Sequence, residues 1–245
     1  MSRKLSLVTA VNQDLEGLQR LYQRLEHLLS AEVEWVIKDS GRCEATRIWG
    51  ESIKSENLKF ICSPDTGIYD ALNQALYLAD GEFYVVFGSD DDIYSEGIAY
   101  FLAQYADFSE YGVVVFPVVV NDRILMVKRF CPLFLSTSGI VTSHSVGTII
   151  RRAIHESVGM YDTSYRILSD SLFLTRCIQY KFRFYYLKEV SFGQFCTQGI
   201  SSTNHKVRIL EAYRYNRSCG SSVPTQSLFF LLRVLRYLPA LIFYA

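Results

Sequence analysis

The chain has no surplus of charge. Lysine plus arginine and aspartate plus glutamate each number 25 in 245 residues. Broad nucleic-acid binding draws on an excess of cations, so this balance argues against it. No CxxC pair occurs. The six cysteines, at 43, 62, 131, 177, 196 and 219, fit neither a zinc site nor a small disulfide framework, and Cys62 in KFICS reads as a buried thiol. The start, MSRKLSLVTAVNQD, has too short an apolar run for a signal peptide, and the expected compartment is a reducing cytoplasm. The turn after the first strand, VTAVNQDLEG, lacks the glycines of GxGxxG, which weakens a dehydrogenase reading. A Walker-type GxxxxGK[ST] is missing too, as is the glycine-rich basic loop a nucleotidyltransferase usually needs. With no internal repeat and no low-complexity linker, one continuous domain is expected.

What is present is apolar and periodic. Hydrophobic residues make up 49% of the chain and charged ones 20%, enough to bury a core. Strand-like runs KLSLVTAV (4–11), VEWVIK ending at Asp39, LKFIC and EFYVVF ending at Asp90 alternate with helical patterns. The first helix carries Leu15, Leu18, Leu21, Leu25, Leu28 and Leu29 at helical spacing, with Asp14 as N-cap. A short helix is expected near 43–54. Another, TGIYDALNQALYLA, has Ile68, Ala71, Leu72, Ala75 and Leu76 on one face. This alternation predicts an α/β domain with a mostly parallel central sheet, Rossmann-like, and helices on both faces. After about residue 112 the pattern changes. YGVVVFPVVVNDRILMV predicts a long strand, a turn at Asn121–Asp122 and a second strand; helices are expected near 149–158 and 170–179.

In such sheets ligands bind beyond the carboxyl ends of the strands. Asp39 and Asp90–Asp92 fall there. Adjacent carboxylates repel, and their burial costs several kcal/mol each unless a cation or hydrogen bonds compensate. The run is therefore either a site for Mg2+ or Mn2+, which need only one or two carboxylates plus substrate phosphates, or an acidic loop capping the next helix through Asp92 or Ser95.

Three stretches in order, WVIKDSG (35–41), SPDTGIYDALNQAL (63–76) and FYVVFGSDDDIY (83–94), resemble the family 2 glycosyltransferases of the GT-A fold, in particular the bacterial surface-polysaccharide branch. The resemblance implies a base-binding role for Asp39, donor contacts at Asp65 and Asp70, and a close backbone approach at Gly67. It implies a ribose contact for Asp90 and the metal, Mn2+ or Mg2+, on Asp91. Asp92 stands where the family varies, and Gly88 matches its glycine-containing variant. Capping remains open for Asp65, and a helix first-turn charge for Asp70.

The segment VGMYDTSYRILSDSLFLTRC (158–177) is similar to the family's stretch bearing the general base, which places Asp170 in that role. A helix cap is the alternative, and Leu172 departs from the family's polar residue. His144 resembles a family position that contacts acceptor or diphosphate, with a satisfied structural histidine as the alternative; Arg166 is expected to orient Asp170 or contact the phosphates; and TQGISST (197–203) resembles a loop that closes over the donor, with an ordinary turn as the alternative.

The tail QSLFFLLRVLRYLPALIFYA (226–245) is long enough to span a bilayer. Arg233 and Arg236 would each cost roughly 2.5–3.5 kcal/mol at its centre, and Pro239 interrupts it. An amphipathic helix on the membrane interface, or one packed on protein, is expected instead.

The combined expectation has three parts: a nucleotide-sugar-binding half (1–115), an acceptor and catalytic-base half (116–222), and a C-terminal apolar helix (223–245). It describes an inverting, metal-dependent hexosyltransferase using a nucleotide-diphosphate sugar, UDP-linked by expectation. Its acceptor is a saccharide, lipid-linked, at the cytoplasmic face of the inner membrane. The other reading is a degenerate relative that binds sugars or scaffolds a membrane assembly.

Overall fold

The computed structural model describes residues 3–125, 144–196, 204–220 and 222–243, with side chains as far as Tyr237. Its elements run β1 (Leu5–Val11), α1 (Leu15–Leu25), β2 (Val33–Asp39), α2 (Glu44–Ser52), β3 (Leu58–Cys62), α3 (Ile68–Leu78) and β4 (Phe83–Val86). They continue with β5 (Asp92–Ile93), α4 (Ser95–Ala103), β6 (Val113–Val115), β7 (Val118–Val120), β8 (Arg123–Leu125), β9 (Thr148–Arg151) and α5 (Ile154–Val158). Last come α6 (Ser169–Gln179), β10 (Phe184–Tyr186), β11 (Gly193–Phe195), α7 (His205–Ser218) and α8 (Val223–Phe243).

Seven strands form the main sheet in the order β10-β6-β9-β4-β1-β2-β3. All pairings are parallel except those of β9, which runs antiparallel to both neighbours. Residues alternate between the two faces, as the period of a strand requires. Leu5, Leu7, Trp35, Ile37, Phe83 and Val85 pack with α1 and α4, whereas Val8, Val36 and Tyr84 pack with α3, α5 and α6. The parallel strands are mostly apolar because helices cover both faces, with Glu34, Lys38 and Asp39 of β2 as buried charged exceptions. Asp14 caps α1 as expected, its carboxylate accepting from the Gly17 N–H. On α3 the buried face includes Tyr69, while Ile68 is 43% exposed.

Two expectations in the second half fail for identifiable reasons. The long strand over 113–120 divides at Phe116–Pro117. Proline has no N–H to give a ladder, and the chain passes from the main sheet into a second one, ordered β5-β11-β7-β8. The pattern at 149–158 is not one helix. Its β-branched start forms β9, inserted between β4 and β6, and only Ile154–Val158 is helical. Tertiary pairing overrode the local pattern there.

Of the tail, α8 runs from Val223 to Phe243, through Pro239, and packs against α7, where Phe230 meets Tyr213 and Tyr237 stacks on His205. Among the described residues no helix is long and apolar enough to cross a membrane.

Candidate functional site

Beyond the ends of β1 and β4 lies an open cleft of about 700 Å3, walled by α3, the turn after β4, the segment before α6 and the strand ends of the second sheet. Its size is that of a small-molecule site. The charged residues described along it are Arg42, Asp65, Asp90, Asp91, Arg166 and Asp170. Gly67 and His144 line it too; Asp39 and Asp70 do not.

The three consecutive aspartates have three different surroundings. Asp90 is exposed on the cleft. Asp91 is buried, its two carboxylate oxygens accepting from the backbone N–H of Gly88 at 2.8 Å and of Cys196 at 3.0 Å. Asp92 points away, joins β5 and pairs with Arg24 of α1 at 2.5 Å. Neither Asp92 nor Ser95 caps α4, whose start has no side-chain cap. A Cβ at Gly88 would lie 2.4 Å from an Asp90 carboxylate oxygen, so a larger residue there would push the Asp90 side chain aside. Behind the turn, Ser89 donates to Asp14 and its carbonyl accepts from Arg20, so α1 braces the loop.

Burial raises the Asp91 carboxyl to about 6, and the charges of Asp90 and Asp92 add to the effect despite the two N–H bonds. Asp91 forms no ion pair among the described residues. A buried carboxylate with like-charged neighbours and open lone pairs suits a divalent cation with oxygen ligands. Among the described residues no cluster of three or more His, Cys, Asp or Glu is gathered for a metal. The fit is therefore to a cation that takes its remaining ligands from substrate and water.

Asp39 ends β2 beside Val11 of β1 and is fully buried. One oxygen accepts from the Gly41 N–H at 2.8 Å; the other has no hydrogen-bond partner among the described residues. A buried carboxylate oxygen left unpaired is costly, and a ligand N–H would relieve it. The neighbouring Lys38, fully buried as well, places its three protons on the carbonyls of Asp39 and Ser63 and on the Asp65 carboxylate. Asp65 also accepts from the Gly67 N–H, and Gly67 is the N-cap of α3 at φ 143°, a conformation that favours glycine, with open space where a Cβ would stand. Asp70 reaches back to the N–H and hydroxyl of Thr66, which hold its carboxyl below the ordinary carboxylate value. It thus orders the loop rather than facing the cleft.

Asp170 does not precede α6 but sits in its first turn. Its carboxylate accepts from the Ser171 N–H at 2.7 Å and the Tyr69 hydroxyl at 3.1 Å. Burial raises it above the ordinary carboxylate value, and these hydrogen bonds oppose the rise. The loop before it is held by the buried Glu211 of α7, which accepts from the backbone N–H groups of Arg166, Ile167 and Leu168. Arg166 is exposed, and no ion pair joins it to Asp170 among the described residues. His144 stacks on Phe195 at 3.7 Å, and burial lowers it to about 4. At neutral pH it offers a hydrogen bond and no charge. TQGISST lies outside the described residues.

Tyr69, Glu211, Lys38 and Arg42 were not singled out from sequence. Only Lys38 carries a signal, a lysine inside the apolar strand VEWVIKD.

No family model matches the chain. Curated relatives include the PGL/p-HBAD biosynthesis glycosyltransferases of Mycobacterium tuberculosis and Mycobacterium bovis, 25% identical over 161 residues, which cover 59% of this chain and 57% of theirs. The chain thus matches little more than half the length of those relatives. Among solved structures, the mannosyltransferase PcManGT of Pyrobaculum calidifontis, in complex with GDP-Man and Mn2+, superposes with a TM-score of 0.70 at 18% identity, over 98% of this chain and 73% of that one. TarS 1-349 of S. aureus, in complex with UDP-GlcNAc, superposes at 0.64 and 18% identity, over 96% and 73%. At such identities the likeness establishes the fold, that of the GT-A glycosyltransferases.

Proposed function

We propose that the chain is an inverting glycosyltransferase of family 2, in the surface-polysaccharide branch, that moves a sugar from a nucleotide-diphosphate donor to a saccharide hydroxyl. The carrying observation is that one cleft at the carboxyl ends of parallel strands gathers Asp90, Asp91 and Asp170. The names of the curated relatives, and the nucleotide-sugars and Mn2+ in the solved structures, support the reading.

In this reading the unpaired Asp39 oxygen accepts from the nucleoside base, and UDP is the favoured donor carrier. Asp90 holds the ribose. Asp65, Gly67 and Asp70 shape the loop beside the donor. Asp91 would hold Mg2+ or Mn2+, which would offset the charge that develops on the leaving diphosphate. Arg42 and Arg166 are the two cations described along the cleft, and both fit contacts to the diphosphate. His144, neutral, fits a hydrogen bond to the acceptor or the diphosphate.

Asp170 accepts the proton of the acceptor hydroxyl as that oxygen bonds to the anomeric carbon. The bond from that carbon to the diphosphate oxygen breaks on the opposite face, and the nucleoside diphosphate leaves. One displacement inverts the carbon. A carboxylate whose proton affinity is raised by burial is better matched to this task than an exposed one. The acceptor in this reading is a lipid-linked saccharide presented at the cytoplasmic face of the inner membrane.

Calorimetric titration of the full chain with UDP, GDP and dTDP, each with Mn2+ and with chelator, tests the proposal. Metal-dependent binding of one nucleotide is expected. Absence of binding to all three, with metal present, would overturn it.

A further inference from the structure

The neutral total of the chain conceals a strong local imbalance. Residues 204–243 contain Lys206, Arg208, Arg214, Arg217, Arg233 and Arg236 but a single acid, Glu211. That acid is buried and committed to the backbone of 166–168. The surface of the α7–α8 hairpin therefore has no negative side chain of its own.

The same hairpin is turned inside out relative to a helix stable in water. Leu228, Leu231, Leu232 and Leu235, spaced as one helical face, are each more than half exposed. Arg233 on the other side is partly buried over Phe229, and one of its guanidinium nitrogens has no hydrogen-bond partner among the described residues. Four adjacent exposed leucines form a patch that calls for a covering surface.

Charge decides what covers it. A second copy would bring an equally basic face against this one, and like charges across an interface are unfavourable. An anionic bilayer satisfies both features at once: its acyl boundary takes the leucines and its phosphates meet the cations. We propose that the α7–α8 hairpin docks on an anionic lipid surface, with Leu228, Leu231, Leu232 and Leu235 entering the headgroup–acyl boundary. Glu211 ties α7 to the loop that carries Arg166, so the docked hairpin is joined directly to one wall of the cleft. The inference stands apart from the sugar-transfer reading, since neither the leucines nor the cations invoked take part in it.

The test is sedimentation of the full chain with vesicles of phosphatidylcholine alone and of phosphatidylcholine mixed with phosphatidylglycerol, at low and high salt. Binding to the mixed vesicles, weakened by salt and small on the neutral ones, is expected. L231Q/L235Q should lose affinity by roughly tenfold per leucine, with its melting temperature and nucleotide binding unchanged. L228Q provides a milder variant should the double one melt early. K206Q/R236Q should lose binding only to the mixed vesicles. Absence of vesicle binding, or leucine variants that bind like the parent, would overturn the proposal. So would a dimer, seen without vesicles, that the leucine substitutions dissolve. Vesicle binding without nucleotide binding would sink the catalytic reading and leave this one standing.

Discussion

The hydroxyl of Tyr69, at the start of α3, lies 3.1 Å from the carboxylate of Asp170, in the first turn of α6, across 101 residues of chain. The same hydroxyl lies 2.6 Å from the carbonyl of Ile167, so one phenol ties the donor-side helix to the loop and helix that carry the proposed base. The single phenolic proton is shared between the Ile167 carbonyl and the Asp170 carboxylate, and the share that reaches Asp170 favours its charged form. Tyr69→Phe should therefore raise the proton affinity of Asp170 further and move the acid limb of the kcat profile to higher pH. Donor affinity should hold. Asp170→Asn should keep donor binding and lower transfer by roughly 10^2–10^4-fold. An acid limb that stays in place in the phenylalanine variant would show that another group sets it.

Asp91 gives a second pH dependence, of known sign. Its carboxyl is raised to about 6 in the fold, above the ordinary value of an unfolded chain. Between those values the folded state holds a proton that the unfolded state has lost, so Asp91 makes stability fall as pH rises. A tenfold change in proton affinity is worth about 1.4 kcal/mol, so this effect is on the order of 3 kcal/mol in the metal-free protein. Asp91→Asn removes the titrating charge but turns an amide N–H toward the Gly88 or Cys196 N–H, so it should flatten this pH dependence of the melting temperature and abolish the metal dependence of nucleotide binding. In the parent, Mn2+ affinity should climb as pH passes through about 6, because the cation competes with that proton. Calorimetry across pH 5 to 8 reads both effects.

The unpaired oxygen of Asp39 predicts a selective loss. Asp39→Asn removes the charge and replaces one acceptor by an amide, so nucleotide affinity should fall by about 1.5–3 kcal/mol, the worth of a hydrogen bond to a charged group. Inorganic diphosphate lacks the base, and its affinity should not change. Equal losses for both ligands in a calorimetric titration would remove Asp39 from the base site.

Two half-buried histidines act opposite to Asp91. Burial lowers His144 and His155 to about 4. The Nδ1 and Nε2 atoms of His155 lie 3.0 Å from the Gly159 carbonyl and 2.8 Å from the Tyr84 hydroxyl. With Nδ1 donating to the carbonyl, Nε2 accepts from the phenol, and the ring must be neutral. Below the ordinary histidine value near 6.5 the unfolded chain gains protons that the fold refuses, so stability should drop as pH falls from about 6.5 toward 4. His155→Phe should remove the His155 share of that decline and flatten the slope in a series of denaturant melts. An unchanged slope would place the acid sensitivity elsewhere.

The first half of the chain was legible because local and tertiary preferences agree there. Val33–Asp39 and Leu58–Cys62 are strands in sequence and in structure. Asp90 and Asp91 could be placed at a strand end for the same reason. Their separate fates could not be read, because those depend on Cys196 and Arg24, which lie far off in sequence. Val113–Val120 misleads by composition: six valines surround a proline whose missing N–H sends the chain into a second sheet. The support behind Asp170 is equally remote. Tyr69 lies about a hundred residues before it and Glu211 about forty after, and neither spacing marks a helix face or a turn.

Glu211 is the strongest of these distant dependencies. One buried carboxylate closes three backbone N–H groups at Arg166, Ile167 and Leu168, just ahead of α6. Glu211→Ala leaves all three without a partner in a site that excludes water. At about 1–3 kcal/mol for each orphaned donor, the loss should be several kcal/mol, near the upper end for a single substitution. Glu211→Gln keeps one carbonyl acceptor but turns an amide N–H toward a backbone N–H, so it should cost less and still loosen the loop. If Glu211 only stabilises the fold, the glutamine variant, assayed well below its melting temperature, will keep the parent's kcat. If Glu211 positions Asp170, kcat will fall while nucleotide affinity holds, and the acid limb will move to lower pH as water reaches the loosened carboxylate.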